Sequence, residues 1–179
     1  MTKRWWLALS KFDLRFGWLV LLALLAQTIV IYVDFGGADV LRRFVFPVTY
    51  VLLVAFVVLN RRRVGLLIIG AGMLLNLLVI VANGGLMPIA PATMERAGLQ
   101  DELVELEPGD SVPHTKNVLL DEGDTHLELL SDRFTWGSPG PVPVFSIGDV
   151  VIGIGLIIIL VEFILPILQR ASRDGLSPT

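Results

Sequence analysis

The chain has 179 residues, of which 54% are hydrophobic, and its mean hydropathy is +0.75. This composition is too apolar for an ordinary soluble domain and is typical of an integral membrane protein. The sequence contains no cysteine, which excludes disulfide bonds, zinc thiolate sites and cysteine nucleophiles. The formal net charge is only −3, but the charges are sorted by position, so their distribution is more informative than their sum.

Residues 1–16 form an amphipathic segment ahead of the first apolar stretch. Trp5, Leu9, Phe12 and Phe16 recur at helical spacing, and basic residues flank this stripe. The pattern predicts a short helix in the membrane interface that anchors the chain, with a docking surface for a partner as the alternative. No small-residue cleavage site follows, so we expect a retained segment rather than a secretion signal.

Four apolar stretches predict four transmembrane helices, because about 20 helical residues cross a hydrocarbon core of about 30 Å. They cover residues 17–33, 44–59, 64–81 and 147–168. The sequence therefore predicts an all-α membrane protein in which residues 1–179 form a single membrane domain, a four-helix bundle.

Basic residues near the ends of these stretches indicate the orientation. Nine of the fourteen lie on one predicted side of the membrane: Lys3, Arg4, Lys11, Arg15, Arg61, Arg62, Arg63, Arg170 and Arg173. Both termini are therefore expected in the cytoplasm and residues 83–145 outside it. Arg42 and Arg43 lie on the outer side, and we expect their guanidinium groups to extend toward the membrane surface. The three consecutive arginines also suit contact with anionic lipids.

Four polar side chains fall at comparable depths in the four predicted helices: Gln27, Tyr50, Asn76 and Glu162. They predict a polar cluster in the middle of the membrane, because ionisable groups at that depth face protein or water. Two interpretations remain open. Either the four groups satisfy one another and fix the register of the bundle, or they line a path for ions, protons or lipid headgroups around Glu162.

Glycines recur at helical spacing in two of the predicted helices. Gly65 and Gly72 lie seven residues apart in the third helix, and Gly148, Gly155 and Glu162 share one face of the fourth. Because glycine lets helix backbones approach closely, these two faces predict a packing seam.

The segment 83–145 carries eleven acidic and three basic residues. A solvated face that enforces topology explains this simply, and a divalent-cation site is the alternative. The acidic turn 121–124 lacks the ligand order of an EF-hand loop, so no metal and no cofactor is predicted. We expect a small, mostly irregular extracytoplasmic cap in which residues 118–120 and 125–130 pair as a short β-hairpin.

Ser146 precedes Asp149 by three residues where the fourth apolar stretch begins. This is the spacing of a capping box, in which the hydroxyl and the acidic side chain each bind the other residue's backbone N–H. The negative charge also suits the positive end of the helix dipole. A structural role is therefore sufficient to explain both residues.

Three motifs resemble those of a bacterial membrane protein family of unknown function. They are N-G-G-L-M-P at 83–88, L-L-S-D-R-F at 129–134 and P-V-P-V-F-S-I-G-D at 141–149. The resemblance covers most of the chain and implies four spans in the bacterial cytoplasmic (inner) membrane, with no particular activity. It marks the following as motif residues with structural roles: Asn83, Gly84, Gly85, Pro88, Ser146 and Gly148.

A second resemblance is to lipoprotein signal peptidase, a four-span aspartic enzyme of bacterial membranes. D-R-F at 132–134 is similar to one catalytic element of that family, and residues 145–149 are similar to the other. The resemblance implies that Asp132 and Asp149 form a catalytic dyad that shares a proton, one acting as base and the other as acid. The sequence departs from that family at Ser146, where asparagine is expected. Without such a dyad, Asp149 is a helix cap and Asp132 a turn residue.

The residues favour an integral membrane protein that acts as a structural, accessory or lipid-interacting component. We expect contact with membrane lipids and with a membrane-protein partner or a second copy of the chain. An aspartic hydrolase is the first alternative, and a small ion or proton conductor the second. No phosphate loop, dinucleotide fingerprint, serine elbow or zinc motif is present, and the basic clusters lie beside the membrane, so no nucleic-acid partner is expected.

Overall fold

The computed structural model describes residues 14–33, 38–136 and 144–174. These residues form six helices, four short strands and two 3₁₀ turns. In chain order they are α1 (Trp18–Tyr32), α2 (Ala38–Leu59), α3 (Val64–Ala82), β1 (Met87–Ile89), α4 (Pro91–Ala97), α5 (Gln100–Leu103), β2 (Asn117–Leu119), the 3₁₀ turns Glu122–Asp124 and Glu128–Leu130, β3 (Phe134–Thr135), β4 (Val144–Phe145) and α6 (Ile147–Asp174). The interfacial helix predicted for residues 1–16 lies almost entirely outside the described residues.

Three of the helices are long and apolar enough to cross a membrane. The spanning parts are Asp39–Leu59 in α2, Val64–Ala82 in α3 and Ile147–Pro166 in α6. Helix α1 is also apolar but has only 15 residues, or about 22 Å of helix, which is less than a hydrocarbon core of about 30 Å. The first predicted span, over residues 17–33, is therefore shorter as a helix than the sequence indicates.

Helices α3 and α6 pack antiparallel through the predicted glycine seam. A Cβ atom on Gly65 would lie 2.9 Å from the carbonyl oxygen of Gly155, and one on Gly148 would lie 2.8 Å from the carbonyl oxygen of Gly72. Contacts this short leave no room for a side chain, so the seam depends on glycine at these positions. Helix α2 packs against both α1 and α3, which places α6 at one end of the row of helices.

Residues 83–136 and 144–145 fold into one unit between α3 and α6, which we call the loop domain. Its strands β1 and β2 pair in parallel, with Met87 opposite Asn117 and Ile89 opposite Leu119. Leu86 and Met87 are fully buried in a cluster with Val79 and Ile80 of α3. The loop domain therefore shares a hydrophobic core with the helices and does not hang from them as a free loop.

The predicted hairpin between residues 118–120 and 125–130 is wrong. Strand β2 pairs with β1, and the second half of the expected hairpin contains the 3₁₀ turn Glu128–Leu130. All three residues of each of β1 and β2 are buried, as is usual for parallel strands that are covered on both faces. The antiparallel pair of this region is instead β3 with β4, in which Phe134 faces Phe145.

Arg42 and Arg43 also differ from expectation, because their guanidinium groups bind backbone carbonyls within the protein. Arg42 is buried, and its Nε donates to the carbonyl oxygen of Val30 in the last turn of α1 at 3.0 Å. Arg43 donates to the carbonyl oxygens of Gly84 at 3.3 Å and Gly109 at 3.1 Å. The last carbonyls of a helix lack partners within the helix, and Arg42 supplies one for α1.

Candidate functional site

A single lysine links the two aspartates that the sequence places in a possible dyad. The Nζ atom of Lys116 lies 3.4 Å from Oδ2 of Asp132 and 3.3 Å from Oδ2 of Asp149. Two aspartates that are 17 positions apart in the chain are therefore brought to one lysine. They meet on one ammonium group that forms an ion pair with each carboxylate.

Strand β1 positions two members of this group. The backbone N–H of Met87 donates to the carbonyl oxygen of Lys116 at 3.0 Å, which fixes the lysine just before β2. The backbone N–H of Asp132 donates to the carbonyl oxygen of Pro88 at 3.2 Å. Lys116 and Asp132 therefore belong to two segments that bind β1 from opposite sides, and this short, buried strand holds both residues in place.

Asp149 is positioned by the N-terminus of α6, and the predicted capping box is confirmed. The backbone N–H of Asp149 donates to Oγ of Ser146, and the backbone N–H of Ser146 donates to Oδ2 of Asp149, each at 3.1 Å. Asn76 of α3 completes a ring. Its Nδ2 donates to Oδ1 of Asp149, and its Oδ1 accepts from Oγ of Ser146, both at 2.8 Å.

The side chain of Asp132 is 1% exposed. Its Oδ2 accepts from Nδ2 of Asn117 at 2.8 Å, in addition to its contact with Lys116. Its Oδ1 is buried and has no hydrogen-bond partner within the described part of the chain. Burial raises the pKa of Asp132, and Lys116 and Asn117 oppose this only in part.

Lys116 remains protonated in this environment. Burial on its own would lower the pKa of the ammonium, but the charge of Asp132, assisted by Asp149, outweighs burial and raises that pKa above its usual value. The ammonium therefore keeps its charge throughout the physiological range and is not suited to act as a general base. The side chains of Lys116 and Asp149 are 25% and 32% exposed, so one side of the network is within reach of solvent.

The four residues of the predicted mid-membrane cluster do not form one group. Tyr50 is buried and interacts with Asn76 beside Asp149. Gln27 donates from Nε2 to Oγ1 of Thr49 at 2.8 Å. Glu162 is at the other end of the α3–α6 pair, where its Oε1 accepts from the backbone N–H of Gly65 at 3.3 Å. The antiparallel packing of the two helices separates Glu162 from Asn76, so the geometry gives no support to a conduction path through both.

The N-G-G-L-M-P motif at residues 83–88 ends α3 and leads the chain into β1. Asn83 binds the backbone of His126 with its amide, which donates to the carbonyl oxygen at 2.8 Å and accepts from the N–H at 2.9 Å. Gly84 and Gly85 have φ angles of 75° and 99°, which disfavour any side chain. Pro88 then lies in β1 beside Asp132. These residues fix the connection from α3 to β1. That connection supports the Lys116 network, by which we mean Lys116, Asp132, Asp149 and the side chains of Asn76, Asn117 and Ser146 that bind the two aspartates.

The sequence pattern does not identify Lys116 or Asn117 as site residues. One signal is available, because Lys116 is the only lysine after residue 11 and lies within a strongly acidic segment. A single lysine among so many carboxylates indicates an ion pair, although it does not identify the partners. Within the described ranges, no group of three or more histidine, aspartate or glutamate side chains could hold a metal ion.

Comparison with known proteins gives one match. Residues 11–161 match DUF5317, which is described as a family of unknown function. No curated protein and no solved structure matches the chain. The matched residues include two complete candidate membrane spans, the third as far as Val161, the whole loop domain and every member of the Lys116 network. The chain therefore belongs to the DUF5317 family of unknown function.

Proposed function

We propose that this chain is a structural or accessory membrane component whose helices hold the loop domain in one fixed position at the membrane surface. The observation that carries the proposal is the pair of contacts that Lys116 makes with Asp132 in the loop domain and Asp149 in α6. A protein that presents a folded surface to another component needs that surface to be held rigidly, and this network supplies the attachment.

The hydrogen bonds of the network are directed inward. Asp149 accepts from Asn76 and Ser146 in addition to its contact with Lys116, and Asn76 and Ser146 are fully buried. A dyad that shares a proton and activates water needs the two carboxylates to face one another across that water. Here the ammonium of Lys116 occupies the position between them. The arrangement therefore suits attachment better than hydrolysis.

The proposed setting is the bacterial cytoplasmic membrane, with both termini inside and the loop domain outside. The excess of arginine and lysine beside the other ends of the helices supports this orientation. The acidic composition of the loop domain suits a region that is exported across the membrane. Membrane lipids, and a membrane-protein partner or a second copy of the chain, are the proposed contacts.

A fourth crossing by α1 belongs to the same proposal. At one end, the backbone N–H of Arg15 donates to Oδ1 of Asn60 just after α2, at 2.8 Å. At the other end, Arg42 near the start of α2 binds the carbonyl oxygen of Val30. The chain from Arg15 to Val30 therefore runs beside nearly all of α2 between Arg42 and Asn60, which is about 27 Å of helix.

Helix α6 supports contact with lipid or with another protein. Of its most apolar 18-residue window, 11% is buried within the chain, compared with 39% and 44% in α2 and α3. The side chains of Ile154, Ile157 and Val161 are all about half exposed or more. An apolar face of this size is stable only in lipid or against another apolar surface.

Variants of Asp149, Lys116 and Ser146 test the proposal when function and stability are measured together. The full-length Asp149→Asn, Lys116→Met and Ser146→Ala proteins are introduced into cells that lack the gene, and rescue of the deletion phenotype is compared with membrane abundance and thermal stability. An attachment role predicts that rescue follows stability across the three variants. Loss of rescue by Asp149→Asn at normal abundance and stability would contradict that role.

A hydrolase related to lipoprotein signal peptidase is the second candidate, and the convergence of Asp132 and Asp149 favours it. The differing surroundings of the two carboxyls also suit an acid and a base, because Asp132 is buried and Asp149 accepts several hydrogen bonds. A hydrolase of this kind requires the ammonium of Lys116 to move out of the position between the two carboxyls. It predicts that Lys116→Met retains activity, whereas Asp132→Asn and Asp149→Asn each abolish activity without unfolding the protein.

A further inference from the structure

A basic cleft lies at the opposite end of the helices from the Lys116 network. It has a volume of about 750 Å³ and is bounded by Arg15 on one side and by the turn Arg61, Arg62 and Arg63 on the other. Its apolar wall includes Leu14 and Val58. Among the described residues that line the cleft, none is acidic. The cleft therefore combines a strongly cationic rim with an apolar wall.

The two sides of the cleft are held together by a buried asparagine. Asn60 is 8% exposed. Its Oδ1 accepts from the backbone N–H of Arg15 at 2.8 Å, and its Nδ2 donates to the carbonyl oxygen of Arg15 at 2.9 Å. This paired contact fixes the segment before α1 against the turn between α2 and α3. The rim is thus built by a specific interaction and keeps its arginines close together.

Three arginines of the rim have no acidic partner within the described part of the chain. No carboxylate there lies within ion-pair distance of Arg15, Arg61 or Arg62. Several like charges around one cleft raise the local potential and attract an anion. The planar guanidinium group matches two oxygens of a phosphate at once, which favours phosphate over a simple halide ion.

The position of the cleft indicates the source of the phosphate. The turn 60–63 joins two helices that are both long and apolar enough to cross a membrane, so it lies at a membrane surface whichever way the chain is oriented. Val58 belongs to α2, and Leu14 packs against the apolar cluster that contains Phe56, so the apolar wall of the cleft continues into the helices. We infer that this cleft binds the phosphate headgroup of an anionic phospholipid, whose acyl chains pack against the apolar wall.

Lipid nanodiscs of defined composition test this inference. The full-length protein is reconstituted in phosphatidylcholine alone and in phosphatidylcholine with phosphatidylglycerol. Retained lipid is identified by native mass spectrometry, and thermal stability is measured in parallel. We expect selective retention of phosphatidylglycerol and a higher unfolding temperature in its presence. The Arg61→Gln and Arg62→Gln substitutions should each weaken retention about fivefold, as expected for one juxtamembrane arginine near an anionic surface.

A matched control uses arginines of the loop domain. Arg96→Gln and Arg133→Gln remove the same number of charges elsewhere and should leave retention of phosphatidylglycerol unchanged. Equal retention of the two lipids by the unmodified protein, or equal losses in the two pairs of variants, would overturn the inference. Inorganic phosphate and glycerol phosphate are tested as soluble competitors. If either stabilises the protein as much as the lipid does, the cleft is a site for soluble phosphate and the lipid assignment is wrong.

Discussion

The ammonium of Lys116 lies 3.3 Å from a carboxylate oxygen of Asp149 and so joins the loop domain to the first turn of α6. The same ammonium contacts Asp132, which is almost completely buried beside β1. Breaking a buried ion pair by removing one partner is costly, because the remaining charge loses its compensation. Lys116 thus supplies an ion pair between the loop domain and α6, in addition to the hydrophobic core that the loop domain shares with α3.

The glycine seam leads to a prediction about α3 and α6. A Cβ atom on Gly72 would lie 2.8 Å from the backbone nitrogen of Ile152, whereas one on Gly153 would meet nothing within 4 Å. Gly72→Ala should therefore lower the free energy of unfolding by about 1–3 kcal/mol, as overpacking typically does. The measurement is unfolding in mixed detergent micelles. Gly153→Ala is the control and should be neutral or slightly stabilising, and equal effects of the two substitutions would exclude close packing at Gly72.

Asn83 is predicted to hold the segment around His126 against the end of α3. Asn83→Ala removes two hydrogen bonds to the backbone of His126 and should cost about 1–3 kcal/mol. Hydrogen exchange should increase at residues 124–130 and remain unchanged in the middle of α3. Gln100→Ala is a suitable control, because its side chain makes one exposed hydrogen bond. Exchange that is unaltered near His126 in Asn83→Ala would contradict the assigned role.

Lys116→Met should make stability depend on pH through Asp132. Without the ammonium, burial raises the pKa of the Asp132 carboxyl further above its usual value. A carboxyl with a raised pKa in the folded state binds its proton more tightly there than in the unfolded chain, so stability falls as the pH rises through that pKa. The deficit of Lys116→Met relative to the unmodified protein should be smallest near about pH 4.5 and largest near about pH 8.

Thermal unfolding across this pH range measures the effect. The double variant Lys116→Met with Asp132→Asn is the control, because it has no carboxyl at position 132 to titrate and its deficit should not grow with pH. A deficit of Lys116→Met that stays constant over the whole range would show that Asp132 does not carry an uncompensated charge in that variant.

The orientation is predicted to place Glu105 outside the membrane and Arg62 inside it. Because the natural chain has no cysteine, a single introduced cysteine reports its own accessibility without background. A maleimide reagent that cannot cross membranes should label Glu105→Cys in intact cells and Arg62→Cys only after permeabilisation. Labelling of both variants in intact cells would place the loop domain and the arginine turn in the same compartment and contradict the proposed topology.

Local patterns in the sequence predict local features of the structure well. The seven-residue spacing of Gly148, Gly155 and the facing glycines of α3 predicts the seam, because helical periodicity alone decides which residues share a face. The three-residue interval from Ser146 to Asp149 predicts the capping box, because the first turn of a helix places each of these side chains beside the other residue's free backbone N–H. Both features depend on a few neighbouring residues in one regular element.

Features that depend on distant pairing are not predictable in this way. The parallel pairing of Met87 with Asn117 crosses 30 positions, and no turn signal announces it, whereas the acidic turn 121–124 suggests a hairpin that does not form. The position of Lys116 follows from that pairing, so its partners cannot be identified from the sequence. Arg42 likewise reaches the end of α1 only because α1 and α2 pack side by side.

Asp132 and Asp149 are an intermediate case. The resemblance to lipoprotein signal peptidase predicts that they meet, and the structure brings them to one site. The group that joins them is a lysine, which the resemblance does not include. A catalytic dyad of the two carboxyls therefore stays a prediction, and the chemistry of the site depends on a residue from a different part of the fold.

The most direct test of the attachment role is a double-mutant cycle between Lys116 and Asp149, with the free energy of unfolding measured in mixed detergent micelles. Lys116→Met should cost about 3–5 kcal/mol, because it leaves buried negative charge unpaired. Adding Asp149→Asn to that variant should cost about 1–3 kcal/mol less than Asp149→Asn costs in the unmodified protein, because its charged partner is already gone. Costs that simply add would show that the two residues are not energetically coupled and that Lys116 does not fasten the loop domain to α6.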